Sequence, residues 1–546
     1  MPLIKYQDRV MKLITDASAE KLRGGFYTPS PIAIFMLRWG INGSTEADIL
    51  EPSCGDGVFF EQLQSLQLPY NSITGIELDP EEAAKSDRIE LPNKQVINDD
   101  FHIYCNNTLR RFDLIIGNPP YIRYQFFDER QQVEAEDIFI KAGLKYSKLT
   151  NAWVSFVVGS ALLLKESGGK IGFVLPAEIL QVSFAKQLRA FIAHFFNKVN
   201  IISFEKLVFQ NIQQEVVLLL CEKDNSDSHK IEHIEIRDAE MLKSLDVEKL
   251  RSPQKRLDFN SNKWTFYFLD QEEIDFLEKI AKRRNIQKLG NFAKVEVGIT
   301  TGANNFFSVP LSLVKEYGLE QYAKPLIGRS VQVSSAIFNN EDWKKNKNSK
   351  AKAHLLVFPE WEQLKNDAGA VRYIEHGESL GIHKGYKCGI RNDWFVVPSL
   401  KISDALFIRR NNLYPRLIIN EAKAFTTDTM HRVFLKPKTD LNAFTASYYN
   451  SLSLAFSEVC GRSHGGGVLE LMPNEAESIL LPYLPDNALL IKEIDQKLRN
   501  KIDIHSILKF TDQVILKENF GLTDKEIVLA NKIWRKLSSR RLNRGK

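Results

Sequence analysis

A doubly wound α/β fold, followed by a second domain of different texture, is predicted by three features of the sequence. Short apolar strands alternate with helical stretches between about residues 20 and 220, and polar loops fall at the carboxyl ends of four strands. After about residue 262 the strands shorten and Gly, Asn and Thr become frequent. Repeated strand–helix units imply a mainly parallel sheet covered on both faces, with ligands collecting outside the carboxyl ends of its strands. A chain of 546 residues exceeds what one core usually supports, so two large domains are expected.

The strands are predicted at 47–50, 72–78, 95–98, 113–117, 169–176 and 200–206, each a short apolar run between helical or turn-forming stretches. The run "QEVVLLLCEK", 214–223, is expected as an antiparallel edge partner, and the charge-rich stretch 224–262 as a surface excursion or linker. The resulting division is a first domain over 1–250, a mixed α/β domain over 251–483, and a basic helical region over 484–546.

Composition narrows the class. A hydrophobic fraction of 44% with 26% charged residues suits a globular chain, and the longest apolar stretches are too short or too interrupted to span a bilayer. With no signal-like apolar region after Met1, a cytoplasmic location is expected. Five scattered cysteines without a C-x-x-C pair argue against a disulfide framework or structural zinc, so no metal is expected. A net charge of +5 is only mildly basic. The basic clusters at 344–352, 408–410 and 534–546 concentrate in the second half, as a phosphate-facing domain would require.

Four loops carry the chemistry. In "ILEPSCGDGVFFEQL", Glu51 closes a strand and a turn containing Ser53, Gly55 and Gly57 opens a helix, which lets backbone approach a ligand while the carboxylate addresses its polar groups. Phe60 stands where a dinucleotide-binding G-x-G-x-x-G needs its third glycine, and no phosphate-binding lysine follows. In "GIELDP", Glu77 ends the next strand, where a carboxylate can take both hydroxyls of a ribose. In "INDDFH", Asp100 can accept from an exocyclic amino group and Phe101 can lie against a base. The fourth, "DLIIGNPPYIRYQ", runs from a buried strand into Asn118, Pro119, Pro120 and Tyr121. The prolines lack a backbone N–H and fix φ, so they stop the ladder and hold a rigid turn whose carbonyls sit beside an amide and an aromatic ring.

"EPSCGDG", "GIELDP", "NDDF" and "GNPPY", preceded by "GGFYTPSPIA", resemble the class I S-adenosylmethionine-dependent methyltransferases, and specifically the gamma arrangement of N6-adenine DNA methyltransferases of restriction-modification systems. In that arrangement cofactor motifs come first, the catalytic tetrapeptide next and the target recognition domain last. "KVEVGITTGANNFF", "YAKPLIGRSVQV" and "GGGVLELMP" look like the recognition domain of the same enzymes. The resemblance implies a Rossmann-like methyltransferase sheet with a C-terminal mixed α/β target recognition domain and a helical tail. It implies S-adenosyl-L-methionine as cofactor, held by Glu51, Ser53, Gly55 and Gly57 at its methionine end, by Glu77 at the ribose and by Asp100 and Phe101 at the adenine. Tyr27, Thr28 and Pro29 would close the pocket from the amino-terminal side. Cys54 departs from the small or aromatic residue common in such loops.

The same resemblance makes Asn118-Pro119-Pro120-Tyr121 a polar vice for an exocyclic adenine nitrogen. With N–H bonds accepted by the Asn118 side chain and the Pro119 carbonyl, the nitrogen moves towards a tetrahedral form and turns its lone pair to the donated methyl. A duplex adenine must be flipped out to reach the vice, and Tyr121 and Phe209 would then sandwich it. Arg462, His464 and Gly466, in "CGRSHGGGVLELMP", are candidates to approach a groove of double-stranded DNA. Glutamine N5 methyltransferases acting on release factors, and RNA base N-methyltransferases, use the same tetrapeptide. Size and order favour DNA, since only about 25 residues precede the cofactor loops and more than 250 follow the sheet. No nuclease motif is found, so a cognate restriction endonuclease, if there is one, is expected as a separate protein.

Overall fold

The computed structural model describes residues 27–44, 46–122, 127–147, 151–182, 184–209, 214–224, 226–247, 250, 255–258 and 263–543. Chain contacts divide it into two units, one up to Gln271 and one over Glu272–Asn543.

In the first unit the described residues form a nine-stranded sheet. Its strands are β1 Asp48–Glu51, β2 Ser72–Glu77, β3 Lys94–Asn98, β4 Leu114–Gly117, β5 Lys170–Pro176, β6 Lys198–Phe204, β7 Val216–Glu222, β8 Lys230–Ile236 and β9 Lys255–Arg256. Their order is β3-β2-β1-β4-β5-β7-β6-β8-β9. From β3 to β5 the pairing is parallel, and β7 runs antiparallel to both β5 and β6. The order reverses between β1 and β4, which puts the crevice for a ligand at the carboxyl ends of those two strands.

Two expectations are corrected. The run 214–223 is not an edge strand: β7 lies between β5 and β6, and Val216–Cys221 are buried in turn, as a strand covered on both faces demands. Nor is 224–262 a plain excursion. "KIEHIEI" forms β8, parallel to β6 over seven residue pairs, and β9 closes the edge. Its charged residues hid a strand whose buried ends are Ile231 and Ile236 and whose middle is half-exposed.

The helices fix the strand ends from both faces. α1, Ser30–Ile41, lies on β4 and β5 through glycines. A Cβ on Gly40 would come within 2.5 Å of Leu114, and one on Gly172 within 3.2 Å of the Trp39 ring, so neither position has room for a side chain without a shift. α2 is Val58–Leu66, α3 Pro80–Asp87, α4 Phe101–Asn107 and α5 Glu129–Lys141. α6, Trp153–Leu162, is apolar all round, and Trp153–Ala161 are all buried. That explains the most apolar stretch of the sequence as an interior helix.

The second unit is built from short strands. Ala293–Val297, Met430–Leu435, Ala405–Ile408 and Leu417–Ile419 make one antiparallel sheet. Ser308–Val309, His354–Leu356, Ala323–Ile327 and Phe425–Thr426 make a mixed one, in which the last two strands pair in parallel. The C-terminal helix Asp524–Asn543 belongs to this same unit and is not a separate region. It packs on the helix Ser451–Cys460, where Arg541 and Glu458 form a buried pair with N–O distances of 2.7 and 3.1 Å.

Among the described residues, no helix is long and apolar enough to cross a membrane, and no group of His, Cys, Asp and Glu is placed to hold a metal ion.

Candidate active site

Each predicted loop of the first unit lies where a strand ends. Glu51 is the last residue of β1, Glu77 of β2, Asp100 follows β3 and Asn118 follows β4. Because these strands are neighbours in one parallel register, four loops distant in sequence meet at one edge of the sheet.

The first loop turns on two glycines. Gly55 has φ +53 with open space where a Cβ would point, so backbone lies bare to the crevice. Gly57, at φ +97, caps α2, and a Cβ there would collide with Ile89 at 2.5 Å and Ser86 at 3.0 Å. The Gly55 N–H donates to Glu77 Oε2 at 2.9 Å, and the Asp79 N–H donates to Glu77 Oε1 at 2.8 Å. Glu77 therefore shapes the first loop while keeping a lone-pair site on each oxygen for another donor. Cys54 points the other way: its thiol packs on Gly75 and lies 3.6 Å from the Ser86 hydroxyl, and burial pushes it far up from the thiolate range.

Glu51 stands out by what it lacks. It is 2% exposed, and its Oε2 has no hydrogen-bond partner. Burial, then the charges of Glu77 and Asp56, push its carboxyl well above the usual range; burial raises Glu77 as well. Two carboxylates that hold on to protons in a shared crevice make a site short of positive charge.

Asp100 is the opposite case. It caps α4 through the His102 N–H at 2.7 Å, and the same Oδ1 lies 2.8 Å from His102 Nδ1. Its Oδ2 accepts from Gln131 Nε2 at 2.9 Å. Burial opposes ionisation most, but the bond and charge of His102 and the Gln131 bond outweigh it and hold Asp100 down to about 2. His102 Nε2 lies 2.7 Å from Ser155 Oγ, which donates to the Ala152 carbonyl. This Asp–His–Ser chain braces α4 against α6, and both Ser155 and His102 are buried. Phe101 is 3% exposed and stacks on Phe156 at 4.8 Å. Neither His102 nor Ser155 was singled out from the sequence. Gln131 had a local signal, the capping box it forms with Asp128 at the start of α5.

At the vice, the Ser53 hydroxyl donates to the main-chain carbonyl of Asn118 at 3.3 Å, tying the first loop to the fourth. Among the described residues, no hydrogen bond reaches the Pro119 carbonyl. The Tyr121 hydroxyl lies 2.8 Å from Asn118 Oδ1 and 3.0 Å from the Val174 carbonyl, and its ring packs against the apolar cluster that includes Val174, Val216 and Phe209. Phe209 is 7% exposed, so its ring is covered in the structure. At the amino-terminal side, Thr28 is buried, Pro29 caps α1 through its carbonyl, and Tyr27 is 62% exposed.

In the second unit Arg462 and His464 are brought onto one short strand, yet both face acids of their own chain. Arg462 Nε lies 2.8 Å from Glu475, and His464 Nε2 lies 2.9 Å from Glu470, which Arg409 and Arg410 also contact. Gly466 has φ +75 and open space around it. Gly467 is constrained by the C-terminal helix instead: a Cβ there would meet the Leu542 backbone at 3.3 Å, and its carbonyl accepts from Arg541.

Sequence comparison agrees with this division. Residues 60–209 match the family described as Eco57I restriction-modification methylase, and residues 261–516 match the C-terminal domain of the Type II methyltransferase M.Eco57I. The chain is 26% identical over 522 residues to the Type II methyltransferase M.AccI of Acinetobacter calcoaceticus, covering 92% of this chain and 93% of that protein. It is 33% identical over 237 residues to the Type II methyltransferase M.HincII of Haemophilus influenzae, 43% of this chain and 44% of that protein. Both halves of the chain are thus similar to Eco57I-type restriction-modification methylases, over residues 60–209 and 261–516.

Proposed function

We propose that the protein transfers a methyl group from S-adenosyl-L-methionine to the N6 nitrogen of an adenine flipped out of double-stranded DNA. The observation that carries the reading is the meeting, at one sheet edge, of a proline-locked Asn118 and a buried carboxylate oxygen of Glu51 with no partner. A ligand bearing an ammonium and a sulfonium fits a crevice short of positive charge. The residues suit the rest of it: Glu77 keeps acceptor sites for ribose hydroxyls, and Asp100 Oδ2 keeps one for an amino N–H beyond its bond from Gln131. When bound, the cofactor supplies an electrophilic methyl.

The chain's own part is to bind and orient. The Asn118 side-chain oxygen and the Pro119 carbonyl each accept one N–H of the target amino group, which draws the nitrogen out of conjugation and aims its lone pair. No base is needed before transfer, because the preorganised acceptors do not reorganise as charge develops. Once nitrogen has bonded to carbon, the ammonium-like product is acidic and loses its extra proton along one of the N–H bonds already made to the vice. Tyr121 offers a stacking face worth about 1–3 kcal/mol to an extruded base. Phe209 supplies the opposite face only by leaving the apolar cluster that covers it.

The test is incubation with double-stranded DNA and S-adenosylmethionine labelled in its methyl group, followed by digestion to nucleosides. Label in N6-methyldeoxyadenosine supports the reading. Label in another nucleoside, or transfer to RNA or to a glutamine side chain with none to DNA, overturns it.

A further inference from the structure

Two stretches of the sequence, the turn within "PLIGRSVQV" and the basic cluster at 344–352, fold to one corner of the second unit. The turn Ser330–Gln332 follows the strand Ala323–Ile327 and is fastened from several directions. Gln332 Oε1 accepts from the Gly328 and Arg329 N–H groups at 2.7 and 3.1 Å, and its Nε2 donates to the Lys352 carbonyl at 3.4 Å. Asn346 Nδ2 donates to the Gln332 carbonyl at 3.0 Å, and the Arg416 guanidinium donates to the carbonyls of Ser330 and Val333. The two stretches also touch through backbone, since a Cβ on Gly328 would lie 2.8 Å from the Lys352 carbonyl. The turn is a fixed platform.

That platform presents charge without a countercharge. Arg329 and Lys350 are exposed, and neither they nor Lys352, whose ammonium rests on Asn305 Oδ1 at 2.9 Å, form an ion pair among the described residues. The acids of the neighbouring helix Asn340–Asn348 are already engaged, Glu341 by Lys344 at 2.8 Å and Asp342 by Arg499 at 2.7 Å. Arg416, in the same corner, shows the contrast, because its guanidinium is spent on two carbonyls. Three uncompensated cations side by side suit a partner of repeated negative charge, and a sugar–phosphate backbone is such a partner. Side chains on backbone that is already ordered also lose less freedom on binding.

We propose that the turn at 328–333 is a phosphate-binding element for double-stranded DNA, in which Arg329, Lys350 and Lys352 hold the sugar–phosphate backbone. This rests on the reading of the protein as a DNA methyltransferase and names where that DNA is gripped. Arg462 and His464, by contrast, face acids of their own chain. Phosphate contacts fix the position of a duplex without reading its sequence, so the element supplies affinity and register, not base choice.

The test is binding of the full chain to a short fluorescein-labelled duplex of arbitrary sequence, followed by anisotropy over a salt series. Arg329→Ala should weaken binding about tenfold, the size of a lost hydrogen bond to a charged group. It should also lower the slope of log affinity against log salt by about 0.9, and adding Lys350→Ala should bring the fall to about 1.8. Arg329→Lys keeps the charge and should keep the parent slope. Val331 offers a second probe: at 83% exposure it can be replaced without opening the core, so Val331→Asp should weaken duplex binding by setting a negative charge among phosphates. In every variant, stability in urea and affinity for S-adenosylmethionine should stay at the parent values, with methyl transfer at saturating DNA within about twofold. Parent-like affinity and slope for Arg329→Ala overturn the proposal, as does parent-like binding by Val331→Asp. A loss of affinity with an unchanged slope overturns it too, because it places Arg329 on something other than a phosphate. The parent separates this from the function itself: if the parent binds the duplex and labels N6-methyldeoxyadenosine while the variants match it, only the turn is misassigned, whereas a parent that does neither overturns the reading beneath it.

Discussion

The crevice at the ends of β1 to β4 and the interior of the second unit handle charge in opposite ways. Glu458 and Arg541 are both almost fully buried, and they face each other through two bonds, with the remaining guanidinium donors on the carbonyls of Asn412, Leu413 and Gly467. Arg462 and His464 likewise meet Glu475 and Glu470. Glu51 is as deeply buried as any of these and has Oε2 unpartnered beside a second carboxylate. A buried charge with its partner is architecture. One that lacks a partner is stable only with a proton or a ligand in the partner's place, and it marks where binding happens.

The largest expected effect sharpens the architectural side. Glu458→Ala leaves the Arg541 guanidinium buried and uncompensated, so global stability in urea should fall by about 3–5 kcal/mol. Cofactor affinity in the surviving folded fraction should stay at the parent value. A loss confined to cofactor binding would break the comparison.

Asn118→Ala should slow methyl transfer by about 10²- to 10³-fold, with cofactor affinity within a few-fold, because it removes an acceptor aimed at the reacting nitrogen. Rapid-quench kinetics and calorimetry measure the two. Substantial turnover would refute the vice.

Asp100 tests the compensated carboxylate of the first unit. Its value is depressed to about 2 against an ordinary 3.8, so its contribution is complete above pH 3.8 and is lost as pH falls through about 2. Asp100→Asn should therefore cost about 2 kcal/mol in urea unfolding at pH 7, with the difference from the parent shrinking on acidification. A cost independent of pH would show that the bonds to His102 and Gln131 act without the charge.

Glu51 should behave in the reverse sense. Its carboxyl is raised, so its contribution to stability is present in acid and is lost as pH rises through the folded-state value. Without ligand, Glu51→Gln should be at least as stable as the parent at neutral pH, yet bind S-adenosylmethionine about tenfold more weakly, the size of a lost hydrogen bond to a charged group. Parent affinity should climb as pH rises and the carboxyl ionises, and the Gln variant should lose that climb. Equal affinities at every pH would deny Glu51 a role in binding.

The smallest effect is expected at Arg462. Partly exposed and paired with Glu475, it should give no more than about 1 kcal/mol in stability or DNA affinity on replacement by Ala. A large, salt-dependent loss of DNA binding would show that Arg462 exchanges its partner for a phosphate.

Much of the first unit was legible because its signals are local. Apolar runs mark strands by themselves, glycines announce the turn after Glu51, and two prolines stop β4 whatever surrounds them. The same locality misplaced β7, since nothing in "QEVVLLLCEK" says which strands lie beside it, and hid β8, whose charged residues read as surface.

The sequence by itself determined that acids and an amide would close successive parallel strands, and hence that Glu51, Glu77, Asp100 and Asn118 would share one edge of a sheet. Only the tertiary structure decided what each could do there. Glu51 lacks a partner for Oε2 while Asp100 is bonded on both oxygens, by His102 and Gln131. The Tyr121 hydroxyl found Val174, and the glycines after His464 found Arg541 and Leu542. The physical reason is range. Backbone preferences and hydrophobic period act between near neighbours in the chain, whereas desolvation and hydrogen-bond completion depend on groups as far apart as Gly467 and Arg541, which only the folded chain brings together.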